Sequence, residues 1–296
     1  MVTLRVVDET GSHEELAAKI DSILARAVRL VEPATGLALP DTVTFRIVPV
    51  ETYRSAQVAN MALNLRKYRK VVPAWRRPFV ALASRFLLRI LRGRTAKQGK
   101  YLVMGSTFSV PETGHSETLF VPEALQHNGI LTAEKFLTAL TVHEMLHQAQ
   151  NAASEHRANW IANRAMTLLD PGGIRVLEEG HATWGDQAIT QTLYGTAVDI
   201  RSAPKSEEYK SLHQGGVQAK LAVYEGGRLL VNSAIDAIGL QEFNKVWADD
   251  QRLPRKEEVA EAFAAFTADE PASPTIWATR LAQTTSAAAG SRNATN

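Results

Sequence analysis

The chain has 296 residues, of which 45% are hydrophobic and 22% charged, and its 33 basic and 31 acidic residues leave a formal net charge of +2. This composition predicts a globular protein with a sizeable core, arranged as one large domain or as two lobes. The sequence contains no cysteine, which excludes disulfides, thiol nucleophiles and Cys-based metal sites, so any metal site has to use His, Asp or Glu.

The first half of the chain mixes predicted helices and strands. Capping-box spacing at 12–15, followed by apolar residues at helical intervals, predicts a helix over 12–31. Alternating β-branched and polar residues predict a strand over 42–50, and the shorter apolar runs at 101–104 and 118–121 predict two more. Between these strands, the pattern of Phe79 to Arg92 predicts a further helix.

The second half is predicted to be almost wholly helical. The apolar periodicity indicates helices over 132–153, 156–169, 173–195, 215–238 and 257–267. Residues 282–296 are small and polar, which is typical of a disordered tail. We therefore predict an N-terminal α/β lobe over 1–155, a helical C-terminal lobe over 156–281 and a disordered tail over 282–296.

One segment of the N-terminal lobe is strongly basic. Residues 66–100, called here the basic segment, contain twelve Lys or Arg residues and no acid. The simplest interpretation is a solvated helical insertion. A second is a helix on an anionic membrane surface, because Trp75, Phe79 and Phe86 interleave with arginines. Nucleic-acid binding is not expected, since no recognised binding fold surrounds the charge.

The expected location follows from the start of the chain and from its hydropathy. The first residues lack the basic start and apolar run of a secretory signal, and no run of eighteen uncharged apolar residues exists. We therefore expect a cytoplasmic protein. Membrane binding through the basic segment would make it peripheral to the membrane.

The residues that predict chemistry begin in the helix over 132–153. Thr141 to Gln148 read T-V-H-E-M-L-H-Q, so His143 and His147 are four residues apart and share one helix face. In such an H-E-x-x-H arrangement the two imidazoles bind a zinc ion, and Glu144 between them serves as general base. The alternative is a chance match on an ordinary buried helix.

A zinc site with two histidines needs a third protein ligand and an open position for water. Residues 176–186, V-L-E-E-G-H-A-T-W-G-D, offer Glu178, Glu179 and His181 near the start of the predicted helix over 173–195. Periodicity does not choose between them, and acidic residues are favoured near a helix N-terminus without any metal. In the same segment Asp186 is a candidate hydrogen-bond partner for a ligand histidine.

Three ordered segments together resemble a known family. The chain carries His143-Glu144-x-x-His147, then Glu179-Gly-His-Ala-Thr-Trp, then Tyr224-Glu-Gly-Gly. This order is similar to the catalytic core of the gluzincin metallopeptidases, in particular the alanyl and leucyl aminopeptidase group. The resemblance implies a zincin-like α+β fold, a zinc ion held by His143, His147 and Glu179, and Tyr224 as the phenol that stabilises the oxyanion.

The resemblance covers about residues 134–235. The G-x-M-E-N segment that binds the substrate's free amino terminus in that group is absent upstream of His143. Endopeptidase and exopeptidase action therefore both stay open, and a compact gluzincin or a zincin-like bacterial family fits the same residues.

We predict from these residues a zinc metallopeptidase, a hydrolase that cleaves peptide or protein substrates. A zinc-activated water would attack the peptide bond, with Glu144 as general base. The alternative is a catalytically inactive zincin fold that serves as a membrane-surface or protein-binding module. Glu144 argues against it, because a structural zinc site usually has four ligands and needs no such carboxylate.

Overall fold

The computed structural model describes residues 2–109, 115–154, 173–212, 221–268 and 275–293. Over these ranges the protein is α+β, mostly helical with one small mixed sheet. This confirms the predicted α+β class. None of the described helices is long and apolar enough to cross a membrane.

The sheet has four strands. They are β1 (Thr3–Asp8), β2 (Thr42–Ile47), β3 (Gly105–Ser109) and β4 (Ser116–Phe120), in the order β1-β2-β4-β3. Strands β1, β2 and β4 are parallel, whereas β3 pairs antiparallel with β4 and ends the sheet. Val43, Phe45 and Ile47 of β2 are fully buried, as expected for an inner strand of a parallel array.

Five helices accompany the sheet in the first half of the chain. They are α1 (Glu14–Thr35), α2 (Val50–Val71), α3 (Arg77–Leu102), α4 (Pro122–His127) and α5 (Glu134–Ser154). Helices α2 and α3 pack against each other, and α5 packs against β3 and β4. Most of α5 is buried, including its polar residues Thr138, Thr141 and Gln148.

The side chain of Gln148 sets how α5 lies on the sheet. Its Nε2 donates to the carbonyl oxygen of Thr44 in β2 at 3.0 Å and to Oγ1 of Thr118 in β4 at 2.9 Å. A buried amide needs such partners, and rotating α5 would remove them. These bonds therefore fix the rotation of the helix that carries His143 and His147.

The described residues from 173 onward form helices joined by short connections, and none of them forms a strand. The α-helices are α6 (Gly173–Tyr194), α7 (Glu207–Leu212), α8 (Gly227–Ile238), α9 (Leu240–Phe243), α10 (Lys256–Ala268) and α11 (Ile276–Asn293). A π-helical turn over Ala222–Gly226 leads directly into α8.

The described residues form two compact units. The first comprises 2–154 and 186–212, and it contains the sheet with α1 to α5. The second comprises 173–185 and 221–293. The boundary between the units at 185/186 lies within the continuous helix α6, so residues 173–185 belong to the second unit and residues 186–194 to the first. The predicted lobe boundary at 155/156 lies outside the described residues.

The core of the second unit is aromatic. His181 of α6 is fully buried and stacks on Phe243 at 6.0 Å between ring centroids, and Trp247 meets its ring edge-on at 5.0 Å. Trp277 of α11 packs edge-on against Phe243. Its indole N–H donates to the carbonyl oxygen of Arg252 at 2.8 Å, as a buried indole requires.

The predicted helices over 12–31, 132–153, 173–195 and 257–267 are confirmed with small shifts at their ends. The helix predicted at 79–92 is longer, and most of the predicted strand 42–50 forms as β2. Strand β1 and helix α2 were not predicted from the sequence. The helix predicted at 156–169 and the first residues of the one at 215–238 lie outside the described residues.

The strand predicted at 101–104 is wrong, because α3 continues to Leu102 and β3 begins at Gly105. Tyr101 instead packs its ring against His127 at 4.5 Å, which stabilises the end of α3. The predicted tail also differs, since α11 continues to Asn293. Its alanine-rich sequence favours a helix, and the buried Trp277 and Leu281 hold its start.

Candidate metal centre

Three predicted ligands come together in the structure. One ligand atom from each of His143, His147 and Glu179 lies within 4.8 Å of the other two, so this group could hold a metal ion. His143 is buried, whereas the other two are partly exposed. Two imidazole nitrogens and one carboxylate oxygen form a donor set of a kind that transition-metal ions bind.

The two histidines meet because of helical spacing alone. They lie four residues apart on α5, and their rings are 4.8 Å apart between centroids and nearly perpendicular. Because the hydrogen bonds of Gln148 fix the rotation of α5, they also fix which way the face with both histidines is turned relative to β2 and β4. Both rings therefore lie on a helix that is anchored to the sheet.

Both imidazoles are oriented through Nδ1. In His143, Nδ1 donates to Oδ2 of Asp186 at 2.8 Å, and in His147, Nδ1 donates to Oε1 of Gln150 at 2.8 Å. These acceptors require the proton on Nδ1, which leaves Nε2 as the atom that can ligate a metal. The predicted role of Asp186 as a histidine partner is confirmed by this hydrogen bond.

Helix α6 carries Glu179 as well as Asp186. The two residues are seven apart, which is two turns, so they lie on the same face of one continuous helix. Asp186 is hydrogen-bonded to His143, and Glu179 belongs to the same group as both histidines. One helix therefore carries both the partner of His143 and the carboxylate of the candidate site.

The neighbours of Glu179 are placed differently. His181, also a candidate ligand from the sequence, lies in the aromatic core of the second unit. Glu178, an alternative ligand from the sequence, is not in the group of possible metal ligands found among the described residues. The structure thus brings together the ligand set implied by the family resemblance.

Glu144 is held at the end of a chain of hydrogen bonds. Gln148 Nε2 donates to Thr118 Oγ1 at 2.9 Å, and Thr118 Oγ1 lies 2.8 Å from Thr107 Oγ1. Thr107 Oγ1 then donates to Oε2 of Glu144 at 2.8 Å. Because Thr107 uses its one hydroxyl proton on this carboxylate, its oxygen accepts from Thr118, which sets the direction of the chain from Gln148 to Glu144.

A glycine in β3 leaves the space that the side chain of Glu144 needs. A Cβ atom on Gly105, the first residue of β3, would come within 2.5 Å of the Phe120 ring and 3.3 Å of Cγ of Glu144. No larger residue fits there without moving the Phe120 ring or the base. Gly105 therefore allows β3 to lie close to α5 at Glu144.

Two glycines allow helices α6 and α8 to lie in direct contact. A Cβ atom on Gly180 would overlap the backbone of Gly227, and one on Gly227 would lie 2.5 Å from the carbonyl oxygen of Val176. The start of α8 therefore touches α6 directly beside Glu179. Tyr224 lies one turn before this contact, half-buried in the π-helical turn. Such turns are frequent at functional sites.

Several residues of the site were not predicted from the sequence. Thr107 is 37 residues away from Glu144, and nothing in the local pattern of β3 indicates that its hydroxyl meets a carboxylate. Gln150 was also missed, as were Thr118 and Gln148. A signal existed only for Gln148, because an amide at a core position of a buried helix requires partners.

Comparisons with known proteins add little to this geometry. No family model matches the chain, and no curated protein matches it significantly. A solved structure from Chloroflexus aurantiacus, described as a "putative hydrolase with a novel fold", is 16% identical, with a TM-score of 0.49. The alignment covers 84% of this chain and 89% of that one. The functional interpretation therefore depends on the site itself.

Proposed function

We propose that this protein is a zinc-dependent metallopeptidase with a zincin-like active site. The observation that carries the proposal is the group His143, His147 and Glu179 with Glu144 on the same helix as the two histidines. A purely structural metal site would not need a carboxylate held beside the ligands by a directed hydrogen-bond chain.

The residues fit the metal in number, type and orientation. Three protein donors with one open position are typical of catalytic zinc sites. His143 and His147 each present Nε2, because Asp186 and Gln150 accept the Nδ1 protons. Zinc bound there supplies a Lewis acid that makes water acidic near neutral pH and polarises a carbonyl group.

Glu144 acts as the general base. Thr107 donates to Oε2 of its carboxylate, which leaves Oε1 to accept the proton of the attacking water. Glu144 then transfers this proton to the leaving amine. The directed chain from Gln148 holds the carboxylate in one orientation throughout, so little reorganisation is needed when the proton moves.

Tyr224 is proposed as the donor to the developing oxyanion. Its position is supported by the contact between Gly180 and Gly227, which brings the turn that carries Tyr224 up to helix α6 beside Glu179. A single oxyanion donor contributes about 10²–10³-fold to the rate.

The edge strand supports a peptide as the substrate. Strand β3 ends the sheet, and among the described residues no strand pairs with its outer side. An extended peptide can add to such an edge through backbone hydrogen bonds. Because Thr107 of β3 also contacts Glu144, a peptide bound along this edge would lie beside the base.

The metal is tested first, by elemental analysis of purified variants. We expect about one zinc per chain in the wild type and in Glu178→Ala, and loss of zinc in His143→Ala, His147→Ala and Glu179→Ala. Full zinc in Glu179→Ala together with none in Glu178→Ala would move the third ligand by one residue. Full zinc in both would reject a glutamate ligand.

Catalysis is tested with casein and a mixed library of quenched fluorescent peptides. We expect cleavage that a zinc chelator abolishes, and Glu144→Gln should retain zinc but lose nearly all turnover, because an amide cannot accept the proton. Zinc binding without cleavage of any substrate would favour the inactive binding module. Equal turnover by Glu144→Gln would refute the assignment of the base.

A further inference from the structure

Helix α3 and the short turn before it, Ala74–Arg76, expose an unusual amount of apolar surface. Among the described residues, six large hydrophobic side chains are exposed, and five of them lie between 75 and 90. Trp75, Phe79, Leu82 and Phe86 are each exposed to between 65% and 70%, and Ile90 to 38%. Single exposed apolar residues are ordinary, but a cluster of this kind marks an interaction surface.

These side chains form one stripe on α3. Phe79, Leu82, Phe86 and Ile90 follow each other at steps of three or four residues, so they lie in line along the helix. The opposite side of α3 is directed inward, as the burial of Leu91 shows. The stripe therefore faces outward along three turns of the helix.

Arginines flank the stripe on one side. Arg85, Arg89 and Arg92 are exposed and also recur at steps of three or four, and each of the first two directly precedes a residue of the stripe. Because successive residues are about 100° apart around a helix, the arginine row lies next to the apolar row. At the other end, the guanidinium of Arg76 stacks over the Trp75 ring at 4.6 Å.

The sequence around these arginines contains no acidic residue. No Asp or Glu occurs from Thr52 to Pro111, although twelve bases lie between Arg66 and Lys100. A second copy of the chain is a poor occupant for this surface, because pairing two such faces would bring like charges together. A partner with dense negative charge above an apolar layer matches both rows at once.

We propose that the exposed face of α3, together with Trp75, binds the anionic face of a lipid bilayer, with α3 lying in the membrane plane. The stripe would enter the boundary between headgroups and acyl chains, and Arg85, Arg89 and Arg92 would contact lipid phosphates. Trp75 suits the interface because its ring is amphipathic. This inference is independent of the proposed metal chemistry.

The experiment is flotation of the full chain with two kinds of vesicle. One is phosphatidylcholine alone, and the other contains about one-third phosphatidylserine, enough to give a strong negative surface potential. Three variants are compared with the wild type. The charge variant changes Arg85, Arg89 and Arg92 to Gln, and the apolar variant changes Phe79, Leu82 and Phe86 to Ser. The matched control changes the exposed Arg5, Lys19 and Arg29 to Gln.

We expect the wild type to float with anionic vesicles and hardly at all with neutral ones. The charge variant should lose about 10- to 100-fold in lipid partitioning, whereas the control should lose much less despite the same change in net charge. Salt should weaken wild-type binding but leave a residual part. The apolar variant should lose that salt-resistant part.

Other results would overturn the proposal. Equal partitioning of all four proteins, or equal loss in the control and the charge variant, would reject a specific lipid surface. Sedimentation showing a wild-type dimer that dissociates only in the apolar variant, without flotation, would assign the stripe to self-association. Binding of duplex nucleic acid by the wild type, again without flotation, would assign the arginines to phosphodiesters.

Discussion

The hydrogen-bond chain that ends at Glu144 makes a sharp prediction about Thr107. Replacement of Thr107 by Val keeps the shape of the side chain but removes the hydroxyl that donates to the carboxylate and accepts from Thr118. A hydrogen bond to a charged group contributes about 1.5–3 kcal/mol to stability. Glu144 is only 6% exposed, so water cannot easily replace the donor that its carboxylate loses. We expect the free energy of unfolding to fall by about 2 kcal/mol.

The assay is urea denaturation of metal-free protein, so that zinc binding does not contribute to stability. Thr107→Ser is the control, because it keeps the hydroxyl and loses only a methyl group. A double-mutant cycle with Glu144→Gln isolates the interaction, and the cost of Thr107→Val should shrink by about 1 kcal/mol or more in that background. Equal stability of Thr107→Val and wild type, or an unchanged cost beside Glu144→Gln, would refute the directed chain.

Three further predictions follow from the same site. Tyr224→Phe should lower the rate of peptide hydrolysis by about 10²–10³-fold with little change in KM, which steady-state kinetics measures; an unchanged rate would remove the phenol from the mechanism. Asp186→Asn should weaken zinc binding by about 10- to 100-fold in a competition with a chromogenic chelator, because the ligand histidine loses its charged partner; equal affinity would contradict that role. Gly180→Ala should destabilise the protein by about 1–3 kcal/mol or prevent folding, since no space exists beside Gly227. Gly93→Ala, at an open helical position, is the matched control and should be neutral or slightly stabilising.

For the basic segment, the sequence predicts charge and helical periodicity but not which side chains are exposed. The excess of bases was visible from the residues alone, and so was the periodicity of Phe79 to Arg92. Only the structure shows that Phe79, Leu82 and Phe86 face outward while Leu91 is buried. Periodicity predicts that a helix has an apolar face, but it does not predict whether another element covers that face.

The sequence likewise predicts only part of the candidate metal site. The sequence by itself determined the pair His143 and His147 with Glu144 between them, because a spacing of four on a helix is a local property that the backbone enforces. It left Glu178, Glu179 and His181 open as third ligands, and the family resemblance favoured Glu179. In the structure Glu179 joins the group, and His181 lies in an aromatic core instead.

The supporting contacts were decided by the tertiary structure alone. The bond from Thr107 to Glu144 spans 37 residues and that from His143 to Asp186 spans 43, so neither leaves a trace in local periodicity. The glycine contact between α6 and α8 also joins residues that no helical or strand repeat connects. Local spacing specifies which side chains share one face of one helix. Which distant side chains meet that face is decided by how the helices pack on the sheet and on each other.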